Sequence, residues 1–167
     1  MNTVRCTTLL CLSVCIMMGA VAAAKEEAVP VSDVPAPVAK AVKARFPNAQ
    51  VTGAAKEDEY GHLVYEMQLT EKSAKIDVTV NPQGTIEIIE TQVQPGQLPK
   101  AVKQALAEKY PKSQVKLAET VVHVKQGKEL LDCYELKLHA DGKTTEVKFA
   151  ADGTVKHVEE KSSADES

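Results

Sequence analysis

The stretch LPKAVKQALAEKYPKSQV, residues 98–115, occurs twice in this chain: 64 positions earlier, residues 34–51 read VPAPVAKAVKARFPNAQV. Pro35/Pro99, Val38/Val102, Ala41/Ala105, Pro47/Pro111, Gln50/Gln114 and Val51/Val115 are identical. Val34/Leu98, Val42/Leu106, Arg45/Lys109 and Phe46/Tyr110 are near-equivalents. A gapless match of that length marks an internal repeat. The rest of the chain then becomes a comparison of two copies.

Each copy of the stretch reads as a helix bounded by prolines. Asp33 is placed to cap the first, and Pro35 falls near the first helical position, where a missing N–H costs nothing. Val38, Ala41, Val42 and Phe46 share one helical face, and Val102, Ala105, Leu106 and Tyr110 repeat that spacing. Pro47 and Pro111 end the two helices. A helix of about three turns does not hold alone in water, so each needs a sheet to lie on.

The sheet follows in the sequence. Residues 62–69 alternate, with Leu63, Tyr65, Met67 and Leu69 on one face. Residues 75–80 put Ile76, Val78 and Val80 inward. An NPQG turn at 81–84 leads to residues 85–90, where Ile86 and Ile88 fit the inward set. Residues 50–56 supply a first strand. The second copy matches 69 positions on: YEMQL at 65–69 becomes YELKL at 134–138, Gly84 becomes Gly153, and Thr145, Val147 and Phe149 point inward. The offset grows by 69 − 64 = 5 residues, which fall at 124–129 and read as a longer hairpin tip. Val64, Ile89, Leu131, Cys133 and Val158 are apolar at positions expected to oppose the core; they are read as packing the two units together, the simpler reading, or as forming a binding surface. The expected class is therefore α+β: two tandem repeats, residues 34–93 and 98–160, each one helix packed on a four-stranded antiparallel sheet.

The flanks point out of the cytoplasm. Arg5, an apolar run over 6–21 and Ala22-Ala23-Ala24 before Lys25 compose a signal peptide at 1–24. Residues 25–33 read as a flexible leader and 161–167 as a polar, disordered tail. Of the four cysteines, Cys6, Cys11 and Cys15 leave with the signal and Cys133 remains, so no internal disulfide forms. Removing Arg5 leaves 20 − 1 = 19 basic against 23 acidic residues, a net charge of −4. That balance excludes nucleic acid as a partner. Membrane contact is expected only through the signal segment, in a periplasmic or secreted protein of the bacterial envelope.

Helix, YE-strand and DG-turn together, carried by LPKAVKQALAEKYP, CYELKL and ADGKTTEVKFAADGTV, resemble the PepSY-like, β-lactamase-inhibitor-like family of small secreted bacterial domains. The resemblance covers residues 34–160. It implies tandem helix-plus-sheet units and a role in protein binding or inhibition.

No catalytic constellation accompanies it. His62, His123, His139 and His157 show no metal spacing with one another or with cysteine, and neither HExxH nor CxxC occurs. Cys133 has no base or orienting group nominated by the sequence; it reads as a partly covered strand cysteine, with a disulfide between copies as the alternative. No enzyme activity, metal or cofactor is expected. Two patches are candidate partner surfaces. Lys40, Lys43, Lys100 and Lys103 make the helices basic, a solvated face or a grip for an anionic lipid, glycan or acidic protein. Glu57, Asp58, Glu59 and Tyr60 make an acidic tip with an aromatic, a soluble turn or a loop that enters a basic cleft. The expected function is an exported, non-catalytic module that binds another protein, as inhibitor or regulator of an envelope or extracellular enzyme. The alternative is a structural or sensing module whose basic helices bind anionic envelope polymer or a small ligand. The sequence assigns no oligomeric state.

Overall fold

A computed structural model describes residues 26–59 and 61–161, with Glu59 and Lys161 described as backbone. The expected signal at 1–24, Lys25, Tyr60 and the tail beyond Lys161 lie outside the described residues. Among the described residues, nine strands run in chain order through one sheet: β1 (Glu27–Ala28), β2 (Gln50–Glu59), β3 (His62–Glu71), β4 (Ala74–Val80), β5 (Ile86–Gln92), β6 (Gln114–Lys125), β7 (Lys128–Ala140), β8 (Lys143–Phe149) and β9 (Val155–Lys161). Every neighbouring pair is antiparallel. Two ten-residue helices, α1 (Ala36–Arg45) and α2 (Lys100–Lys109), interrupt the meander.

This corrects the expected architecture. The protein is not two helices each on its own four-stranded sheet. It is a single nine-stranded antiparallel sheet carrying two short helices. The difference lies at β5–β6, where Ile88↔His123, Ile89↔Val122, Glu90↔Val121, Thr91↔Thr120 and Gln92↔Glu119 pair across the middle of the chain. An unpaired strand edge presents a row of unsatisfied N–H and C=O groups, and the two halves remove two such edges by pairing them.

The five-residue difference lies beyond that pairing, at the tip of the β6–β7 hairpin. β6 and β7 have 12 and 13 residues, against 10 each in β2 and β3. The added length is strand as well as tip: Val124 of β6, in the inserted stretch, packs with Val122 against the cluster formed by α1 with β3 and β4.

Both helices lie on one face. Val38 and Val42 of α1, with Val34 and Phe46 beside them, pack on Ala54, Met67, Leu69, Ile76, Val78, Val80 and Ile89. Val102 of α2, with Leu98, packs on Ala118, Leu136, Leu138, Val147 and Phe149. Burying each Val, Leu or Phe contributes roughly 1.5–3 kcal/mol, which holds helices too short to persist alone. Tyr110 meets Phe149 edge-on at 6.3 Å. Asp33 does not cap α1; Pro35 and Pro99 hold the N-cap positions without a side-chain cap, and Asp33 closes a 3-10 turn over Val31–Asp33.

Five register shifts bend the ladder, at Val51/Gly53, Thr79/Val80, Val115/Leu117, Val121/Val122 and Lys148/Phe149. A one-residue slip sends every later side chain to the opposite face. The slip in β5 therefore puts Ile89 in the core and Ile88 opposite Thr79, reversing the expected assignment of both. The slips in β7 and β9 put Leu131 opposite Val122 and Val158 opposite Val147, on the helix side. Of the apolar residues expected to oppose the core, Val64 and Cys133 do. The halves join edge to edge, not by packing those residues together.

Candidate functional site: the helix-free face of the sheet

Strand alternation fills the face away from the helices with carboxylates. Glu66 on β3, Asp77 on β4, Glu90 on β5, Glu119 on β6 and Glu135 on β7 alternate with core residues, and the register aligns Asp77 with Glu90 and Glu119 with Glu135. Like charges directly opposite each other are unfavourable. Lys148 offsets part of this by an ion pair to Glu135 at 2.8 Å. Glu146, paired with Lys137 across β7–β8, is buried.

Glu66, Glu90 and Glu119 respond by holding protons more tightly than ordinary carboxylates. Burial, then the charges of Asp77, Glu26 and Glu57, pushes Glu66 up to about 7, against a lowering hydrogen bond from Gln68. Burial followed by Glu135 and Glu119 takes Glu90 to about 7. Burial followed by Asp77 and Glu135 takes Glu119 to about 7. Asp77 is also raised, by burial first, although Lys75 pulls the other way. These are the two general causes of an elevated carboxylate pKa, desolvation and like charge, acting together. Near neutral pH Glu66, Glu90 and Glu119 are partly protonated and readily recharged.

Apolar side chains flank it. Val64, Val121 and Cys133 are buried on this face, Ile88 lies opposite Thr79 and His123, and Leu130 opposite His123 is exposed. Burial, then Asp132, pushes the Cys133 thiol up to about 11, so it supplies no thiolate at neutral pH. The same burial opposes a disulfide between copies. At the end of the face, Gly61, His62, Val64, Asn81, Pro82 and Glu87 line a cleft of about 580 Å³. Among the described residues no cluster of His, Cys, Asp or Glu has the geometry to hold a metal ion. No helix among them is long and apolar enough to cross a membrane.

The residues singled out from sequence fall in separate places. Lys40, Lys43, Lys100 and Lys103 are exposed on the outer helix surfaces. Lys43 donates from Nζ to the Pro47 carbonyl at 2.7 Å, and Lys103 to the Gly96 carbonyl at 3.1 Å. Each thus serves its own helix or the segment leading into it. The acidic hairpin is divided by strand alternation: Glu57, opposite Val64, is half-buried and belongs to the carboxylate band, while the exposed Asp58 accepts the Gly61 N–H at 2.7 Å and closes the turn. Tyr60 and the side chain of Glu59 lie outside the described residues. Sequence reasoning missed the larger feature, Glu66, Asp77, Glu90 and Glu119. Each is the polar partner in an alternating strand, and only the pairing of strands brings them together.

Known proteins share this architecture. A "DUF2874 family" protein from Bacteroides uniformis superposes with a TM-score of 0.62 at 18% identity, covering 75% of this chain and 88% of its own. A "putative periplasmic" protein from Bacteroides eggerthii gives 0.63 at 17%, covering 76% and 88%. A BLIP-like protein from Bacteroides fragilis gives 0.59 at 19%, covering 79% and 87%. Identities this low establish the fold alone. No curated protein matches the chain. The profile of the family described as "Putative beta-lactamase-inhibitor-like, PepSY-like" matches residues 20–88 and 64–157, most of the sequence. The chain belongs to the PepSY-like, β-lactamase-inhibitor-like family.

Proposed function

We propose that this chain is a non-catalytic binding module of the bacterial periplasm, and that its helix-free sheet face receives a basic region of a partner protein. The observation that carries the reading is the band Glu66–Asp77–Glu90–Glu119, which holds raised pKa values on a face no described helix covers. Carboxylates that repel one another weaken the fold at neutral pH, and proteins keep such strain where it serves recognition. Lysine or arginine docked there would relieve the repulsion and draw out the bound protons. Val64, Val121, Ile88 and Leu130 would give the contact its apolar part. The PepSY-like family, and the periplasmic and BLIP-like descriptions of structural relatives, agree with a periplasmic binding role. The two halves are read as a duplicated unit: α2 begins 100 − 36 = 64 residues after α1, and β8 143 − 74 = 69 after β4. Inhibition or regulation of an enzyme is the finer form of the same proposal.

The test is capture from a periplasmic extract by the immobilised protein, eluted with a pH step. A basic protein bound at pH 8 and released at pH 5.5, with Lys40→Glu and Lys103→Glu having no effect, supports the reading. Retention that is indifferent to pH and lost with the lysine substitutions would instead support an anionic polymer on the helices.

A further inference from the structure

The first edge of the sheet shares its register with the junction at the sheet's centre. Glu27 and Ala28 of β1 pair with Lys56 and Ala55 of β2, and the next N–H, from Val29, donates to Ala54 O at 2.9 Å. Thr91 and Gln92 of β5 pair with Thr120 and Glu119 of β6, and the Val93 N–H donates to Ala118 O at 2.8 Å. Every one of these positions is displaced by 64. β1 therefore holds on β2 the place that the end of β5 holds on β6. The two are unequal in length: β5 makes five pairs with β6, and β1 makes two with β2.

β9 is the counterpart of β5. Its limits, Val155–Lys161, and the register shift beside it lie 69 positions beyond Ile86–Gln92 and the shift at Thr79/Val80. β5 has β6 on its outer side, whereas β9, among the described residues, ends the sheet. The molecule thus carries at one end a strand of the β5 type with an open edge. At the other end it carries a strand of the β6 type closed by a two-residue strip.

We propose that β9 of one copy can take the place of β1 on β2 of a second copy, reproducing between molecules the β5–β6 junction, and that β1 is the guard that prevents it. In the transferred register Glu160 stands opposite Lys56, because Glu160 and Glu27 both correspond to Thr91. The ion pair that Glu27 now makes with Lys56, 3.0 Å long, is replaced by an equivalent one. Val158 stands opposite Asp58 and His157 opposite Glu59. The contact is head to tail, so it adds copies in series instead of stopping at a symmetric pair. A short charged strand covering a sheet edge is a known device against such growth.

The experiment weakens β1 in the full chain. Val29→Pro removes the N–H that donates to the Ala54 carbonyl, and Glu27→Lys turns the Lys56 pair into a repulsion. Light scattering after size exclusion should show a monomer for the parent and concentration-dependent dimers and longer species for both variants. Adding Val158→Asp, which faces Asp58 across the new contact, should return each to monomer. Register is checked by Lys56→Cys with Glu160→Cys in the Val29→Pro chain. β2 and β9 lie on the order of 30 Å apart within one sheet, beyond the reach of a disulfide. A 56–160 bond found by mass spectrometry is therefore between copies. Lys56→Cys with Val158→Cys should cross-link at least about fivefold less if strand pairing fixes the register. Monomers from both folded β1 variants, or equal cross-linking of the two cysteine pairs, would overturn the proposal.

Discussion

Arg45, the last residue of α1, grips Glu129 near the start of β7 through two hydrogen bonds, Nε to Oε1 at 2.7 Å and Nη2 to Oε2 at 3.0 Å. The pair ties the first helix to the longest hairpin of the second half. The Arg45 guanidinium also sits 4.6 Å from the centre of the Phe46 ring. Its hydrogen bond holds the Glu129 carboxyl below its ordinary pKa. Both side chains are still 43% exposed, and an exposed ion pair is worth at most about 1 kcal/mol. A double-mutant cycle of Arg45→Ala and Glu129→Ala should therefore give a coupling below about 1 kcal/mol that shrinks as salt is added.

The apolar contact of Val124 beside that pair adds to the β5–β6 pairing that joins the halves. Val124→Asp places a charge against the α1 cluster and should cost about 2–3 kcal/mol. Loss of cooperativity between the halves is the expected consequence. Calorimetry should show one transition in the parent and two in the variant.

Gly84 and Gly153 let two sheet turns pass beneath the helices. They have φ of +88° and +86°, and a Cβ would stand 2.7 Å from the Pro37 carbonyl oxygen and 2.6 Å from that of Ala101. Backbone cannot yield as a side-chain tip can. Gly84→Ala and Gly153→Ala should each lower urea-unfolding stability by about 2–3 kcal/mol, by the same mechanism in both halves.

Stability should rise on acidification from pH 8 to about pH 5. Glu66, Glu90 and Glu119 titrate near 7 in the fold against 4.5 as model groups. Between those values the native state binds more protons than the unfolded chain, so unfolding free energy falls as pH rises through the window. Glu90→Gln should flatten the slope and stabilise the protein at pH 8 by about 1–2 kcal/mol, after allowance for screening of a partly exposed group. Denaturant melts across pH 5–8 provide the check.

Cys133 should resist alkylation at pH 8 in the folded protein and react once denaturant is added. Its burial and raised pKa both oppose thiolate formation. Fast native labelling would contradict the placement of this side chain.

The helices, their buried faces and the NPQG and DG turns were legible from residues alone, because each depends on local spacing. The single sheet was not, since β5–β6 pairing is a long-range choice between two edges with no local mark. The bulges were equally silent: nothing in TIEIIE distinguishes Ile88 from Ile89, yet one extra residue at the β4–β5 register decides which reaches the core. The candidate site was hidden for the same reason. Glu66, Asp77, Glu90 and Glu119 look like ordinary solvent-side residues until four strands are laid side by side. Strand alternation divides the acidic hairpin, sending Glu57 to the band and Asp58 to the turn, whereas Lys40/Lys43 and Lys100/Lys103 keep their i,i+3 spacing on the exposed helix surfaces.

The central claim is that the carboxylate band weakens the fold and serves binding. The most direct measurement follows stability and partner capture together in the combined variant Glu66→Gln, Glu90→Gln, Glu119→Gln. The account predicts a protein that melts at higher temperature than the parent at pH 8 and no longer retains a basic partner from periplasmic extract. A variant that captures the same partner as well as the parent would contradict it.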